Sequence, residues 1–477
     1  MNLKKSAFSG IKWTACSAAV IAVLQLLQVA VLARILDPKD FGLMALATMV
    51  IGFGQAFLDM GISNAIIYKQ EITVGQLNSL YWLNIFVGAA LFAILTAFAP
   101  LVASFYEETE LTGLIRLTAV AFLIQPFGQQ FMALLQKDLA FDKIALVEML
   151  NKGVMLIVST VAAMAGYGVY SLAYGLIVSV LVSTIQYIYI GARFYKPSLV
   201  FDFGGIGEFV RFGLYQMGER TINYFNLQID VLLIGKLAGT ADLGIYNMTK
   251  QLVLQPVGMV NPILTRVSFP VMARIQNQTG KLRELYLKQV NYLSSLNFPV
   301  CAAMFVFSED IIRIVFGPKW LSAAPVLRIL AVWAAARSVI NPVGSLLLAK
   351  GRADWSFWWN LAMLLCVPAA IYAGSSRDLT GIAYALLLLQ VSLIIPVWYL
   401  LVNRLCLAGF AEYHKQIALP AMIAAVSGLA AYTLTSMMPG GALRLAAGVA
   451  AGLAAAVLLN YRFNAGLIRD LSEIRNG

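Results

Sequence analysis

The chain has 477 residues, of which 60% are hydrophobic and 12% charged, and its mean hydropathy is +0.80. Soluble domains carry about 25% charged residues, so this composition excludes an ordinary water-soluble protein. The net charge of +11 does not indicate a nucleic-acid partner, because Lys and Arg lie in the short gaps between long apolar runs. Lys and Arg in such gaps orient membrane proteins.

Apolar stretches follow one another from the N-terminus, each long enough to cross a bilayer as a helix. The first run is longer than a signal-peptide core and has no evident cleavage site, which favours an uncleaved first span. We predict an all-α polytopic membrane protein with about 14 transmembrane helices. Their expected limits are 10–34, 41–66, 77–104, 114–136, 144–165, 168–192, 209–235, 242–272, 286–308, 323–349, 354–374, 379–402, 416–437 and 443–461.

The positive charges predict the orientation of these spans. With the N-terminus in the cytoplasm, about 21 of the 34 Lys and Arg residues lie on the cytoplasmic side and about 9 on the other. Cytoplasmic loops of membrane proteins are enriched in these residues. We therefore expect both termini in the cytoplasm and the acidic loop of Glu107, Glu108 and Glu110 outside.

Two junctions between spans repeat along the chain. Residues 32–43 read LARILDPKDFGL and residues 234–245 read IGKLAGTADLGI. Any two helix–loop–helix junctions need a polar turn and a small residue, so this similarity alone is weak evidence. At a constant offset of 202 residues, Arg34 aligns with Lys236, Asp40 with Asp242, and Gly42 with Gly244.

A second correspondence strengthens the repeat. Residues 114–128 resemble residues 326–344, and both stretches end in a polar residue followed by Pro-x-Gly. Spans one to six then correspond to spans seven to twelve, which predicts two parallel six-helix lobes with a substrate site between them. The predicted domains are 1–200, 201–403, and two peripheral helices with a cytoplasmic tail in 404–477.

Eight short stretches carry a family resemblance. They are SGIKW (9–13), LARILDPKDFGL (32–43), DMGISNAIIYK (59–69), LYWLN (80–84), GQQFMALLQKDLAFDK (128–143), NPILTRVSFPVMARIQ (261–276), VFGPKW (315–320) and NPVGSLLLAKGRADWSF (341–357). In combination they resemble the multidrug/oligosaccharidyl-lipid/polysaccharide flippase superfamily, and within it the polysaccharide exporters of the colanic acid type.

The resemblance implies a flippase rather than an enzyme. Its cargo would be undecaprenyl-diphosphate-linked oligosaccharide repeat units, moved by alternating access from the cytoplasmic to the periplasmic leaflet of a bacterial inner membrane. The exported product would be an exopolysaccharide, capsule or O-antigen, and a polysaccharide polymerase with its co-polymerase is a candidate partner. The chain has no G-x-x-x-x-G-K-[ST] motif and no CxxC pair, so we expect neither ATP hydrolysis, nor a cofactor, nor a metal.

Cations at bilayer depth are functional candidates, because each costs at least ~2.5–3.5 kcal/mol to insert. Arg220, Lys250 and Arg337 lie deep in their predicted spans. A diphosphate attracts such charges, so we hypothesise that these three bind it; pairing with carboxylates in a structural network is the alternative. The amides expected to contact the glycan are Gln25, Gln28, Asn223 and Gln255.

Carboxylates inside the predicted spans are candidates for ion coupling. They are Asp59, Glu219 and Asp230, and a simple ion-pair role is the alternative for each. Glu148 and Lys152 lie four residues apart in the fifth span, and we interpret them as an ion pair on one helix.

Two other functions fit parts of this sequence. A cation-coupled small-molecule antiporter of the same superfamily is one, although a cavity rich in Arg and Lys would repel organic cations. A polytopic glycan polymerase or ligase is the other. That chemistry needs ionisable groups in a sizeable external loop, and the longest external loop predicted here, 309–322, holds only four charged residues.

Overall fold

The computed structural model describes residues 3–58, 63, 66, 72–193, 195–199, 221 and 224–464. Within these ranges nine helices are long and apolar enough to cross a membrane, or ten if the bent pair between Glu110 and Lys137 counts as one span. The same ranges contain no strand. The predicted fold class, an all-α polytopic membrane protein, is confirmed.

The helices of the first half run almost end to end, with short turns between them. They are α1 (Leu3–Ile35), α2 (Pro38–Leu58), α3 (Val74–Tyr106), α4 (Glu110–Ile124), α5 (Pro126–Lys137), α6 (Phe141–Met164) and α7 (Tyr170–Gly191). Residues 224–237 are also helical.

The second half begins with two long helices and ends with two more. The helices are α8 (Gly239–Arg274), α9 (Thr279–Val306), α10 (Ser308–Val315), α11 (Ala324–Ile340), α12 (Val343–Ala349), α13 (Ala353–Gly374), α14 (Asp378–Ser392), α15 (Ile394–Val397), α16 (Asn403–Cys406), α17 (Phe410–Thr435) and α18 (Ala442–Phe463).

The predicted span count agrees roughly with these helices. The apolar helical stretch Ala353–Cys406 contains both the eleventh and the twelfth predicted spans. About half of the seventh falls outside the described residues. The eighth and ninth correspond to α8 and α9, which are long but less apolar; α9 buries Gln289, Asn291 and Asn297.

Contacts divide the chain into two compact units. Unit 1 is Met1–Gly244 and unit 2 is Ile245–Gly477, so α8 begins in the first and continues through the second. The domain boundaries predicted at residues 200 and 403 stay a prediction.

Both Pro-x-Gly elements interrupt a helix. In the first half α4 and α5 meet at a bend of 51°, with Gln125 between them. In the second half α11 ends at Ile340 and α12 begins at Val343, with Asn341 and Pro342 between them. Proline lacks the amide hydrogen that a continuing helix needs, so a break at this position is expected. The two halves therefore share a local structure as well as a sequence pattern.

The last two helices are built into unit 2. A Cβ atom on Gly448 of α18 would lie 2.1 Å from the Phe307 ring, so the helix backbone rests directly on that ring. At the other end of α18, the Asn464 side chain donates to Asn291 Oδ1 at 2.9 Å and to Ser295 Oγ at 3.1 Å. These contacts attach α18 to α9 at both ends.

Candidate functional site

Four of the predicted site residues lie outside the described residues. They are Arg220 and Asn223, assigned to the substrate, and Asp59 and Glu219, assigned to ion coupling.

In unit 1 the predicted amides lie on α1. Gln28 is buried, and its side-chain nitrogen donates to Ser159 Oγ of α6 at 3.4 Å. Gln25, almost one turn earlier, is half-buried. Gln25 and Gln28 form a polar stripe on α1, and Gln28 in this stripe faces a polar position on α6.

In unit 2 the predicted cations each lie against an aromatic ring. The Lys250 ammonium is 5.7 Å from the centre of the Tyr246 ring, and the Arg337 guanidinium is 5.2 Å from that of Trp333. Cation–π contacts of this length stabilise a cation without neutralising it. Arg337 is exposed, on the same helical face as the exposed Asn341; Lys250 is half-buried.

Two further predicted residues are shielded from solvent. Gln255 is half-buried on α8. Asp230 is buried, and its Oδ1 accepts a hydrogen bond from the Val231 amide at 2.9 Å. Neither arrangement tests the roles assigned to them, which stay predictions.

A close helix crossing in unit 1 joins the two repeated junctions. A Cβ atom on Gly42 of α2 would lie 1.7 Å from the Thr240 carbonyl oxygen, and one on Gly244 would lie 1.9 Å from that of Pro38. The offset of 202 residues that aligns Gly42 with Gly244 also aligns Pro38 with Thr240. The contact is therefore reciprocal, as in a two-fold interface, and only glycine fits at either position.

The acidic loop after α3 ties both sides of this crossing together. Glu107 ends α3 in a left-handed conformation, with φ of 60°. Its carboxylate accepts from Lys236 at 2.8 Å, and this bond holds the pKa of Glu107 below its usual value. Glu108 accepts from Lys39 at 2.9 Å and from the Thr240 hydroxyl at 2.7 Å. We refer to these three contacts of Glu107 and Glu108 as the acidic tie.

Two tyrosines extend the same packing inside unit 1. The Tyr106 hydroxyl donates to the Leu232 carbonyl at 3.2 Å, and the Tyr224 hydroxyl donates to the Met49 carbonyl at 2.6 Å. Tyrosine rings supply apolar contact area with one polar end. These contacts, with the glycine crossing and the acidic tie, hold the segment 224–244 against α2 and α3.

Unit 2 contains an apolar cavity of about 790 Å³. Ligand-binding cavities usually measure about 300–1,000 Å³. Helices α9, α11 and α17 form most of its wall, which includes Phe298, Phe305, Val332, Val339 and Leu429. Among the described lining residues Arg328 alone is charged, and its guanidinium is already bonded to Ser308 and Glu309. The sequence pattern did not predict this cavity, because its lining looks like any apolar helix face.

The interpretation of Glu148 and Lys152 as an ion pair is wrong. Both lie on α6 and are fully described, and no ion pair joins them. Glu148 is exposed and Lys152 is half-buried. Unit 1 thus presents charged groups that were expected to neutralise one another.

Comparison with known proteins identifies a matching family and relatives that are named as biosynthesis proteins. The model of a family described as polysaccharide biosynthesis protein matches residues 31–325. The chain is 35% identical over 465 residues to the teichuronic acid biosynthesis protein TuaB of Bacillus subtilis (strain 168), covering 94% of each. It is 32% identical over 452 residues to the lipopolysaccharide biosynthesis protein WzxC of Escherichia coli (strain K12), covering 92% of this chain and 90% of that protein.

Among solved structures, the chain is similar to the lipid II flippase MurJ in its inward closed conformation. The TM-score is 0.78, and the match covers 96% of this chain and 100% of the other at 14% identity. At this identity the similarity concerns the fold.

Proposed function

Because the chain belongs to the polysaccharide biosynthesis protein family, we propose that it translocates undecaprenyl-diphosphate-linked oligosaccharide repeat units across a bacterial inner membrane. Movement runs from the cytoplasmic to the periplasmic leaflet by alternating access, and the product is a surface polysaccharide. The observation that carries this proposal is sequence similarity, over nearly the full length, to proteins named for the biosynthesis of two different polymers.

The lipid part of such a cargo needs an apolar surface inside the protein. The cavity of unit 2 offers one, with a wall of Phe, Val, Ile, Leu and Ala side chains. We assign it to part of the isoprenoid chain, because burial of apolar area provides about 25 cal/mol for each Å². On this assignment α17 contributes to binding, since Ile417, Ala421 and Leu429 line the cavity.

The head group needs cations for its phosphates and amides for its sugars. Lys250 and Arg337, together with Arg220, are assigned to the diphosphate, and Gln25, Gln28, Asn223 and Gln255 to the glycan. In support, Lys250 and Arg337 each lie against an aromatic ring, a contact that stabilises a cation and keeps its charge.

Alternating access needs an end that closes reversibly. We assign the glycine crossing and the acidic tie to closure of the periplasmic end, since both Lys39 and Glu108 lie in loops or helix ends predicted to be outside. To open this end, α2 and the N-terminal turns of α8 must separate at Gly42 and Gly244. Two of the three contacts in the tie are ion pairs, Lys236 with Glu107 and Lys39 with Glu108, and ion pairs near the surface contribute little to stability, so closure of this kind is easily reversed.

Deletion of the gene in its native host tests the proposal. The lipid-linked repeat unit should accumulate on the cytoplasmic leaflet, and the wild-type gene should restore its delivery. Delivery to the outer face with missing or short polymer would instead indicate a polymerase. Intact surface polymer with increased sensitivity to organic cations would indicate an antiporter.

A further inference from the structure

Helix α6 has an exposed apolar face and, opposite it, a polar face. Its most exposed apolar side chains repeat at helical spacing and form a single stripe: Leu146, Leu150, Ile157, Val161 and Met164. At about 100° for each residue, Glu148, Lys152 and Ser159 lie on the opposite side of the helix. The charged pair therefore does not face the bilayer.

The face opposite the lipid stripe is polar and incompletely bonded. Ser159 binds Gln28 of α1, which places the Glu148–Lys152 face beside the polar stripe of α1. Less than one turn beyond Glu148, the buried side-chain oxygen of Asn151 has no hydrogen-bond partner. Lys152 is at mid-length of the 24-residue helix, where an isolated charge is expensive. This face therefore has hydrogen-bonding capacity that its own helix does not satisfy.

The two charges have complementary hydrogen-bonding capacity. A carboxylate only accepts and an ammonium only donates, whereas a hydroxyl does both. Side chains four residues apart on a helix have Cβ atoms about 5–6 Å apart, close enough for neighbouring hydroxyls of one sugar ring to bond to both. The Asn151 oxygen adds another acceptor on the same side.

We propose that Glu148 and Lys152 form a sugar-binding subsite for a neutral, polyhydroxylated ring of the glycan. This rests on the proposed function and deepens it. The site differs from a phosphate site, because a phosphate carries acceptors only and Glu148 would repel it, while Asn151 would stay unpaired. The first half of the chain thus contributes a glycan contact made by two charged side chains whose charges cancel.

Two soluble probes distinguish binding of the sugar from binding of the diphosphate. Full-length protein in nanodiscs is titrated with farnesyl diphosphate and with the same lipid bearing one glucose. The wild type should bind the glucosylated probe more tightly. Glu148→Gln and Lys152→Met should each reduce that preference about tenfold, the equivalent of one hydrogen bond to a charged group, and leave the affinity for farnesyl diphosphate unchanged.

Matched variants guard against misfolding and nonspecific charge effects. Lys152→Arg keeps a donor and should retain most of the preference. Lys143→Met removes the same charge from the start of α6 and should change neither affinity. Preference for glucose that survives in both Glu148→Gln and Lys152→Met, or that is absent from the wild type, overturns the subsite. A loss of affinity for farnesyl diphosphate in Lys152→Met assigns Lys152 to phosphate instead. Failure of the wild type to bind either probe overturns the proposed function itself.

Discussion

At Gly42 and Gly244 the lack of a side chain determines how closely two helices approach. The atom that a Cβ would meet is in each case a backbone carbonyl oxygen, which cannot rotate away. A steric conflict with a backbone atom is relieved only by moving a helix, whereas a flexible side chain can rotate away from the new atom. The crossing is therefore sensitive to any substitution at Gly42 or Gly244.

Gly42→Ala should lower the thermal midpoint of the protein in detergent, at a cost of about 1–3 kcal/mol for forced overpacking. Gly244→Ala should lower it by a similar amount, because the contact is reciprocal. Gly258→Ala is the matched control: a Cβ there meets nothing within 4 Å, so alanine should be neutral or slightly stabilising in α8. Equal midpoints for all three variants would contradict the crossing.

Glu107 makes the stability of the acidic tie depend on pH. Its pKa is depressed by Lys236, so its contribution is present above the usual Glu range and disappears as the pH falls through the depressed value. The midpoint difference between wild type and Glu107→Gln should therefore be positive at neutral pH and vanish in acid. Lys236→Met should give the same profile, and the double variant should add nothing. A difference that grows in acid would have the wrong sign.

At the scale of single residues, the sequence predicted which residues matter better than which residues touch one another. The alignment of Gly42 with Gly244 was predicted, but not that the two positions touch, since alignment carries no distances. Glu148 and Lys152 were misassigned because the rule for pairs four residues apart assumes a solvated helix surface. On α6 they face away from the lipid stripe.

Among the elements, α18 shows how a helix predicted as peripheral is joined to its unit. Asp310 at the start of α10 is buried; its carboxylate accepts from the Gly441 amide at 2.9 Å and lies 3.5 Å from the Arg444 guanidinium. One carboxylate therefore positions both the turn before α18 and the first turn of that helix. The sequence shows Asp310 only as one charge in a loop.

Asp310→Ala should lower the thermal midpoint of the full-length protein, because it leaves Arg444 and a backbone amide without their acceptor, at a cost of about 1–3 kcal/mol. Glu309→Ala is the control on the preceding residue. Glu309 pairs with Arg328 at 2.8 Å, but both side chains are substantially exposed, so its loss should cost at most about 1 kcal/mol. A larger effect for Glu309 than for Asp310 would refute the proposed docking of α18.

Helix identity was predictable where hydropathy alone determined it. Helices α13 and α14 and the final pair α17 and α18 correspond to predicted spans. The start of α9, predicted at residue 286 and found at Thr279, was harder to predict. Buried amides such as Asn297, which donates to Asn261 of α8 at 3.0 Å, lower the hydropathy of a helix that is nevertheless inside.

For the whole molecule, the proposed cycle requires the acidic tie to break and re-form. Cysteines placed at Glu107 and Lys236 and joined by a short reducible linker should stop export in cells, and reduction should restore it. Each single cysteine variant treated with the same linker controls for modification alone. Export at the wild-type rate by the cross-linked protein would show that this end does not open during transport.

The fold class of the whole molecule followed from composition and the repeat, since few charges and long apolar runs permit little else. The distances between site residues far apart in sequence could not be predicted in the same way. Tertiary packing alone determines how far Gln25, Lys250 and Arg337 lie from one another. The apolar cavity was equally invisible, since a helix face that lines a cavity has the composition of one that faces lipid.

The two components of the crossing respond differently to the surroundings of the cell. The glycine contact is steric and indifferent to dissolved ions. The Lys236–Glu107 pair of the acidic tie is exposed, with the Glu107 side chain 81% accessible, and charges at the surface are screened over about 8 Å at physiological ionic strength. If the tie faces the periplasm, as the charge distribution predicts, a bacterium in brine and one in fresh water hold the same helices together with unequal strength. On the proposed function, the ionic strength outside the cell would then affect how readily lipid-linked repeat units reach the periplasmic leaflet.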